Sequence, residues 1–285
     1  MILITGANGN LGSAVIKHLL KTTEANEIAG LVRSQEKGKE LKALGIQIRT
    51  GSYDDVESLK QAMQGVDKVL LISGLDQERF QQHKNVIDAA VSQGVAFIAY
   101  TSVSMKDPES TVNTFMKSHF QTETYIIKSG LSYAILRDNL YMDAIPMFAG
   151  EQVFEKGIYL PAGDGKVSFA LRDEMAEGIA NVLTSEIKEN KIYEISGAEA
   201  YSFGDIASTL SELSGKKVAY VNADKKEYEA LLTSVGLPDF VKAMVSAFAT
   251  DISKGQHETI FPDLEKLLGR KPTGLKAALS TLYGF

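Results

Sequence analysis

Short apolar runs alternate with amphipathic stretches along the first half of the chain, in the rhythm of strand and helix. Ile2, Leu3, Ile4 and Thr5 form a buried-strand pattern that breaks at once on Gly6, Gly9 and Gly12. Leu11, Val15 and Leu19 then recur at i, i+4 and i+8, a stripe that predicts a helix from about Asn10 to Lys21, with His18 on its surface. IAGLVR (28–33) reads as a second strand, QEKGKELKALG as a charged helix ending near Gly45, and IQIRTG as a third strand. Asp54 with Glu57 has capping-box spacing for a helix carrying Leu59 and Met63. KVLLISG (68–74) is a fourth strand with no polar residue between Val69 and Ile72, as expected when both faces are covered. A long helix with Phe80, Val86, Ile87 and Ala90 leads to FIAYTSV (97–103), and TFMKSHFQTETYIIKSG leads to YAILR (133–137).

Strands alternating with helices in this way predict right-handed βαβ units and a doubly wound parallel sheet of the Rossmann type, an α/β fold with strand order 3-2-1-4-5-6. After Arg137 the rhythm breaks. Residues 138–167 hold Met142, Met147, Phe148, Phe154 and Tyr159 and the turn PAGDGK, which reads as a lobe. RDEMAEGIANVL is helical and KIYEIS (191–196) is a late strand that returns to the sheet. The tail alternates helical patterns at 203–214, 225–235, 238–250 and 274–282 with a strand at KVAYV. The expected organisation is a dinucleotide-binding domain at 1–137, completed by about 168–198, and a smaller substrate lobe at 138–167 and 199–285, with a cleft between them.

In such a fold the ligand crevice lies beyond the carboxyl ends of the strands, so the candidates are Gly6, Ala7, Asn8, Gly9, Asn10, Leu11, Arg33, Ser73, Gly74, Leu75, Thr101, Ser102 and Asp138 to Tyr141. The first glycine turn allows close backbone approach to a pyrophosphate, and the helix behind it aims unpaired N–H groups there. Gly-x-x-Gly-x-x-Gly is looser than the Gly-x-Gly-x-x-Gly fingerprint; its place between a strand and a helix is what gives it weight. Where NAD-binding folds carry an acidic residue for the ribose hydroxyls, this chain has Arg33, 21 residues after Gly12. A guanidinium pairs with a 2′-phosphate that a carboxylate would repel, so the expected cofactor is NADP(H).

Composition narrows the chemistry. With 30 basic and 36 acidic residues the net charge is −6, which argues against a nucleic-acid or anionic-membrane surface. There is no cysteine, and the four histidines show no metal-ligand spacing, so no metal is expected and redox chemistry falls to an organic cofactor. No apolar run approaches the roughly 18 residues of a membrane span and no basic n-region precedes the first strand, so a cytoplasmic protein is expected. Oligomeric state leaves no mark on the sequence.

GANGNLG, LVR, LLISG, FIAYTS, LRDNLY and PAGDGK, together with SGKKV and SVGLPD in the tail, resemble in order the NmrA-like branch of the atypical short-chain dehydrogenases. Within that branch the likeness is to bacterial NADPH-dependent quinone oxidoreductases and the related triphenylmethane dye reductases. The resemblance implies NADPH with neither flavin nor metal. It implies cofactor contacts at Gly6 to Leu11, Arg33, Ser73 to Leu75 and the stretch Asp138, Asn139, Leu140, Tyr141, Met142 and Asp143, with Met175 nearby. LRDNLY departs from the commoner LRN pattern, which leaves open whether Asp138 or Asn139 faces the nicotinamide. Ordinary short-chain dehydrogenases resemble one another in a Tyr-x-x-x-Lys pair; the matching helix here reads Phe115-Met-Lys-Ser-His119, and Tyr125 and Lys128 do not restore the spacing.

Without that acid–base pair, alcohol oxidation is disfavoured, whereas hydride addition to a quinone needs little beyond two flat rings held together away from water. Tyr141 and His119 are the candidate catalytic side chains, with a packed tyrosine and a structural histidine as the alternatives. Met142, Met147, Phe148 and Phe154 offer an apolar wall for a small flat aromatic or quinone substrate. The expected activity is NADPH-dependent quinone reduction. The alternatives are reduction of triphenylmethane dyes and a non-enzymatic NADP-binding redox sensor.

Overall fold

The computed structural model describes residues 1–150, 152–186 and 189–285. The strands are β1 (Ile2–Ile4), β2 (Ile28–Val32), β3 (Gln47–Thr50), β4 (Lys68–Leu71), β5 (Phe97–Val103), β6 (Ser132–Asp138), β7 (Ile158–Leu160), β8 (Lys166–Val167), β9 (Lys191–Ile195), β10 (Tyr201–Ser202) and β11 (Tyr220–Asn222). The helices in the first half are α1 (Asn10–Leu19), α2 (Lys39–Ala43), α3 (Val56–Ala62), α4 (Arg79–Ser92) and α5 (Thr114–Lys128). Then follow α6 (Ile145–Ala149), α7 (Val153–Lys156), α8 (Arg172–Thr184), α9 (Phe203–Ser214), α10 (Lys225–Ser234), α11 (Asp239–Ser253), α12 (Asp263–Leu268) and α13 (Leu275–Tyr283).

Seven strands form one sheet in the order β3-β2-β1-β4-β5-β6-β9, with parallel pairing from β3 through to β6. This is the doubly wound α/β sheet expected from the alternating runs, and the late strand does take its place beside β6. β1, β4 and β5 are buried along nearly their whole length, because helices cover both faces.

The chain divides into two compact units. The first comprises Met1–Val103, Ser118–Asp138 and Arg172–Glu194; the second comprises Ser104–Lys117, Asn139–Leu171 and Ile195–Phe285. The first unit holds the large sheet. Its polar core is a network in which Arg137 of β6 forks onto Glu123 of α5 at 2.9 and 2.7 Å and reaches Glu194 of β9 at 2.9 Å, while Ser102 of β5 donates to Glu123. Both Glu123 oxygens are thus satisfied, a condition for burying a carboxylate. The second unit has its own apolar core, built around Met142, Phe148, Phe169, Phe203, Leu210, Ile252 and Leu279. It carries two small sheets, β10 with β8 and β11 with β7.

Several local readings shift. His18 is buried rather than on the surface, because α1 packs on α8 and its Nε2 lies 3.1 Å from Asp173. The cap of α3 is Asp55, which accepts from the Ser58 N–H at 3.1 Å; Asp54 instead accepts from Gln82. The tail strand is Tyr220–Asn222, which keeps Tyr220 and Val221 of KVAYV but starts three residues later, where Tyr220 pairs with Ile158 of β7. The short helix α12 follows Pro262 with too few residues for a period to show.

Candidate cofactor and active site

In the first unit the loops after β1, β2 and β4 leave adjacent parallel strands at one sheet edge, about 4.8 Å apart from strand to strand. At the end of β1, Gly6 takes a φ of +58°, a left-handed conformation that favours glycine. Its carbonyl accepts the Gly9 N–H at 2.9 Å, which closes the turn and sets Gly9 as the N-cap of α1. That helix start carries neither a capping side chain nor an acidic residue in its first turn, so its amino-terminal N–H groups and positive dipole end stay open to an anion. Gly12 makes the turn compact: a Cβ there would lie 2.4 Å from the Gly6 oxygen and 2.9 Å from Ala7 Cα. Asn8, Gly9 and Asn10 are exposed, whereas Ala7 and Leu11 are buried and serve the loop's own packing.

Arg33 stands one residue past β2 with its side chain exposed, and Lys37 is also exposed. The loop after β4 is lashed to its neighbours by hydroxyls. Thr5 Oγ1 accepts from the Ile72 N–H at 3.0 Å, and the hydroxyl of the half-buried Tyr53 bonds both to Thr5 and, at 3.1 Å, to the Ile72 carbonyl. Ser73 donates from its N–H to Thr101 Oγ1 at 3.0 Å and from its hydroxyl to the Thr101 carbonyl at 2.9 Å. Gly74 has no positive φ, and a Cβ added to it would meet nothing within 4 Å, so neither turn geometry nor packing calls for glycine. Leu75 is 69 % exposed. Among the described residues, this edge thus combines an open helix start, an exposed guanidinium and a loop centred on a glycine, a donor set that fits a phosphorylated dinucleotide.

Residues 139–143 belong to the second unit and behave differently from one another. Asn139 is buried, and its amide donates to Ser168 Oγ at 2.8 Å and to the His257 carbonyl at 3.1 Å, while its oxygen accepts from Leu140. Its side chain is therefore spent on holding the chain, which tells against Asn139 as the residue that meets a ligand with its side chain. Asp138, the last residue of β6, is itself 5 % exposed. Tyr141 is half-buried and bridges Ala170; Asp143 is half-buried. Met142 and, in the first unit, Met175 are closed into apolar cores at 0 % and 1 % exposure. The four residues read as an apolar wall do not form one. Met142 and Phe148 are core, Phe154 packs edge-on to Tyr283 and Phe285, and of the four only Met147 is exposed.

His119 lies in the first unit, on the buried face of α5. It is 6 % exposed and hydrogen-bonds Tyr100 through Nδ1 at 2.9 Å. Burial, aided by the nearby Arg79 charge, holds its pKa well below the usual range, so at neutral pH it carries no proton to donate from a cationic state. This fits the structural-histidine alternative better than the catalytic one. Tyr125 donates to Asp88 at 2.6 Å, which with burial pushes it up to about 12 and commits it elsewhere.

The whole chain, residues 1–285, matches the NmrA-like family. The chain belongs to the NmrA-like family. Among curated relatives it is 38 % identical over 285 residues to quinone oxidoreductase 2 of Escherichia coli, covering 99 % of each chain. The solved structure of that NADPH-dependent quinone oxidoreductase in complex with NADPH superposes with a TM-score of 0.91, covering 99 % of this chain and 100 % of the other. The Citrobacter sp. triphenylmethane reductase complexed with NADP(H) superposes at 0.92 with 36 % identity and the same coverage.

For an NmrA-like chain the glycine turn and Arg33 are legible in the sequence, but two supporting groups are not. Tyr53 follows β3 in what reads as a plain turn, and Arg79 opens an ordinary polar helix; only three-dimensional packing half-buries the first and buries the second. The histidines also carry a pH signature. His83, buried with its Nδ1 3.0 Å from Thr122 Oγ1, is held down to about 3 by burial and the Arg79 charge, and His257 is held down to about 4 by burial. Unfolded, each takes a proton near pH 6.5, so the folded state binds fewer protons between that pH and its own pKa. Stability present above 6.5 is therefore lost as pH falls towards 4, by about 1.4 kcal/mol per pH unit for each histidine. Urea midpoints at pH 7, 6 and 5 are expected to fall in that order; a flat series contradicts the burial of these rings in their neutral form.

Proposed function

We propose that the chain is an NADPH-dependent quinone oxidoreductase that transfers hydride directly to a small flat aromatic acceptor. The observation that carries the reading is the full-length 38 % identity to a quinone oxidoreductase, joined to an exposed arginine at the strand end where the fold selects its dinucleotide. Bound NADPH supplies the hydride. The chain's own residues bind and orient: the Gly6 to Asn10 turn and the start of α1 hold the diphosphate, Arg33 pairs with the 2′-phosphate, and the Ser73 to Leu75 loop, tied down by Thr101, bounds the nicotinamide side. Asp138, the last residue of β6, and Tyr141, three residues further along the chain, are the side chains proposed for the nicotinamide and the acceptor. The reduced acceptor is a weak base compared with an alkoxide, so the absence of a Tyr-x-x-x-Lys pair is no obstacle.

Triphenylmethane dye reduction is the second reading, supported by the Citrobacter sp. likeness at a similar identity. Incubation with NADPH and either a benzoquinone or a triphenylmethane dye, with the uncatalysed rate subtracted, tests both. Quinone turnover at least about tenfold faster than dye turnover in kcat/KM is expected. The reverse ranking favours the dye reading, and NADPH binding without turnover on either replaces both with an NADP sensor. The small acceptor and a cytoplasmic location belong to the same reading; among the described residues no helix is long and apolar enough to cross a membrane.

A further inference from the structure

Arg79 occupies a place that a positive charge does not enter without cause. It is the first residue of α4, yet it is 2 % exposed and is among the largest fully buried side chains of the protein. Burial lowers its pKa to about 10, which leaves it charged at neutral pH. Its guanidinium forks in two directions: Nη1 donates to the Gly74 carbonyl at 3.3 Å, and Nε donates to Ser118 Oγ on α5 at 2.9 Å, with Nη2 on the same oxygen. A planar fork bonded on both sides fixes the separation of the groups it joins, which a flexible ammonium does not.

The groups so joined matter. Gly74 is the centre of the loop whose preceding residue is tied to Thr101 and whose following residue is exposed. A Cβ there would meet nothing within 4 Å, so the centre of the loop presents bare backbone to open space. We propose that Arg79 is a positioning residue for the nicotinamide-facing loop, acting through the Gly74 carbonyl and braced against α5 by Ser118; this rests on the reading of that loop as part of the NADPH site. The neighbouring imidazoles of His83 and His119 are held neutral beside it, so they add no competing cation to the cluster.

Arg79→Lys and Arg79→Met are compared with the unmodified chain by calorimetric titration with NADPH and with NADH, by steady-state KM for each, and by melting of the coenzyme-free protein. A positioning role predicts that Kd and KM rise by about tenfold to a hundredfold for NADPH and for NADH by the same factor, as for a small misplacement of a binding group. The parallel loss separates Arg79 from Arg33, whose removal discriminates between the two coenzymes. A folded Arg79→Lys chain with unchanged coenzyme affinity overturns the proposal. If neither Arg79 variant folds, Ser118→Ala decides it, because it removes the brace and leaves the guanidinium. A rise in NADPH Kd of about threefold supports the role, and no change overturns it. Failure of the unmodified chain to bind NADPH overturns the functional reading as well, and is seen before any variant is made.

Discussion

Gly12→Ala is expected to cost at least about a hundredfold in NADPH affinity while the sheet stays folded. The added Cβ would lie 2.4 Å from the Gly6 oxygen, against the 3.4 Å at which ordinary contact begins, so something must retreat by about 1 Å. The neighbour is backbone on both counts, the Gly6 carbonyl and Ala7 Cα, and neither is the free end of a side chain. The Gly6 carbonyl also accepts the Gly9 N–H that closes the turn, so its retreat opens the phosphate cradle itself. A displacement of that size in a positioning element is worth about a hundredfold. The global penalty is about 1–3 kcal/mol for overpacking. Calorimetry with NADPH and far-ultraviolet circular dichroism separate the two effects. Retained affinity in a folded variant would show that the α1 start does not hold the diphosphate.

The contrast between Gly12 and Arg79 shows what a sequence of this kind makes legible. Strand order follows from local alternation and from the handedness of βαβ connections, so β1 to β6 and the late β9 are readable from apolar runs alone. The glycine turn is readable for the same reason, since its constraint lies within seven residues. What escapes is everything set by contacts distant in sequence. His18 is buried by a helix whose Asp173 stands 155 residues away. Asn139 is spent on Ser168 and on the residue-257 carbonyl, so the LRDNLY motif points to a site without saying which side chain serves it. Met142 and Phe148 look like a substrate wall because methionine and phenylalanine suit both walls and cores, and periodicity does not tell these apart. Arg79 carries no local signal at all: a basic residue opening a polar helix is ordinarily solvated.

Arg33→Asp is expected to shift the ratio of kcat/KM for NADPH over NADH by at least about a hundredfold towards NADH. Arg33 follows the last residue of β2, and β2 pairs with β1, so its backbone emerges one strand over from the glycine turn. The adenosine 2′-phosphate carries close to two negative charges near neutral pH, as phosphomonoesters do, and it is the chief chemical difference between the coenzymes. A guanidinium pairs with it through charge-assisted hydrogen bonds, and an aspartate at the same place both removes that pair and repels the phosphate while accepting hydroxyls from an unphosphorylated ribose. Arg33→Ser separates the two contributions, since it abolishes attraction without adding repulsion; its shift should be about a tenth to a third of the aspartate's. Because Arg33 is exposed, the preference in the unmodified chain should also weaken as salt rises from 0.01 M to about 0.5 M, where screening lengths fall below about 5 Å. Steady-state rates with both coenzymes at two ionic strengths test all of this together. Equal losses for NADPH and NADH in Arg33→Asp would place the 2′-phosphate elsewhere, and would leave the strand-end arginine as an ordinary surface cation.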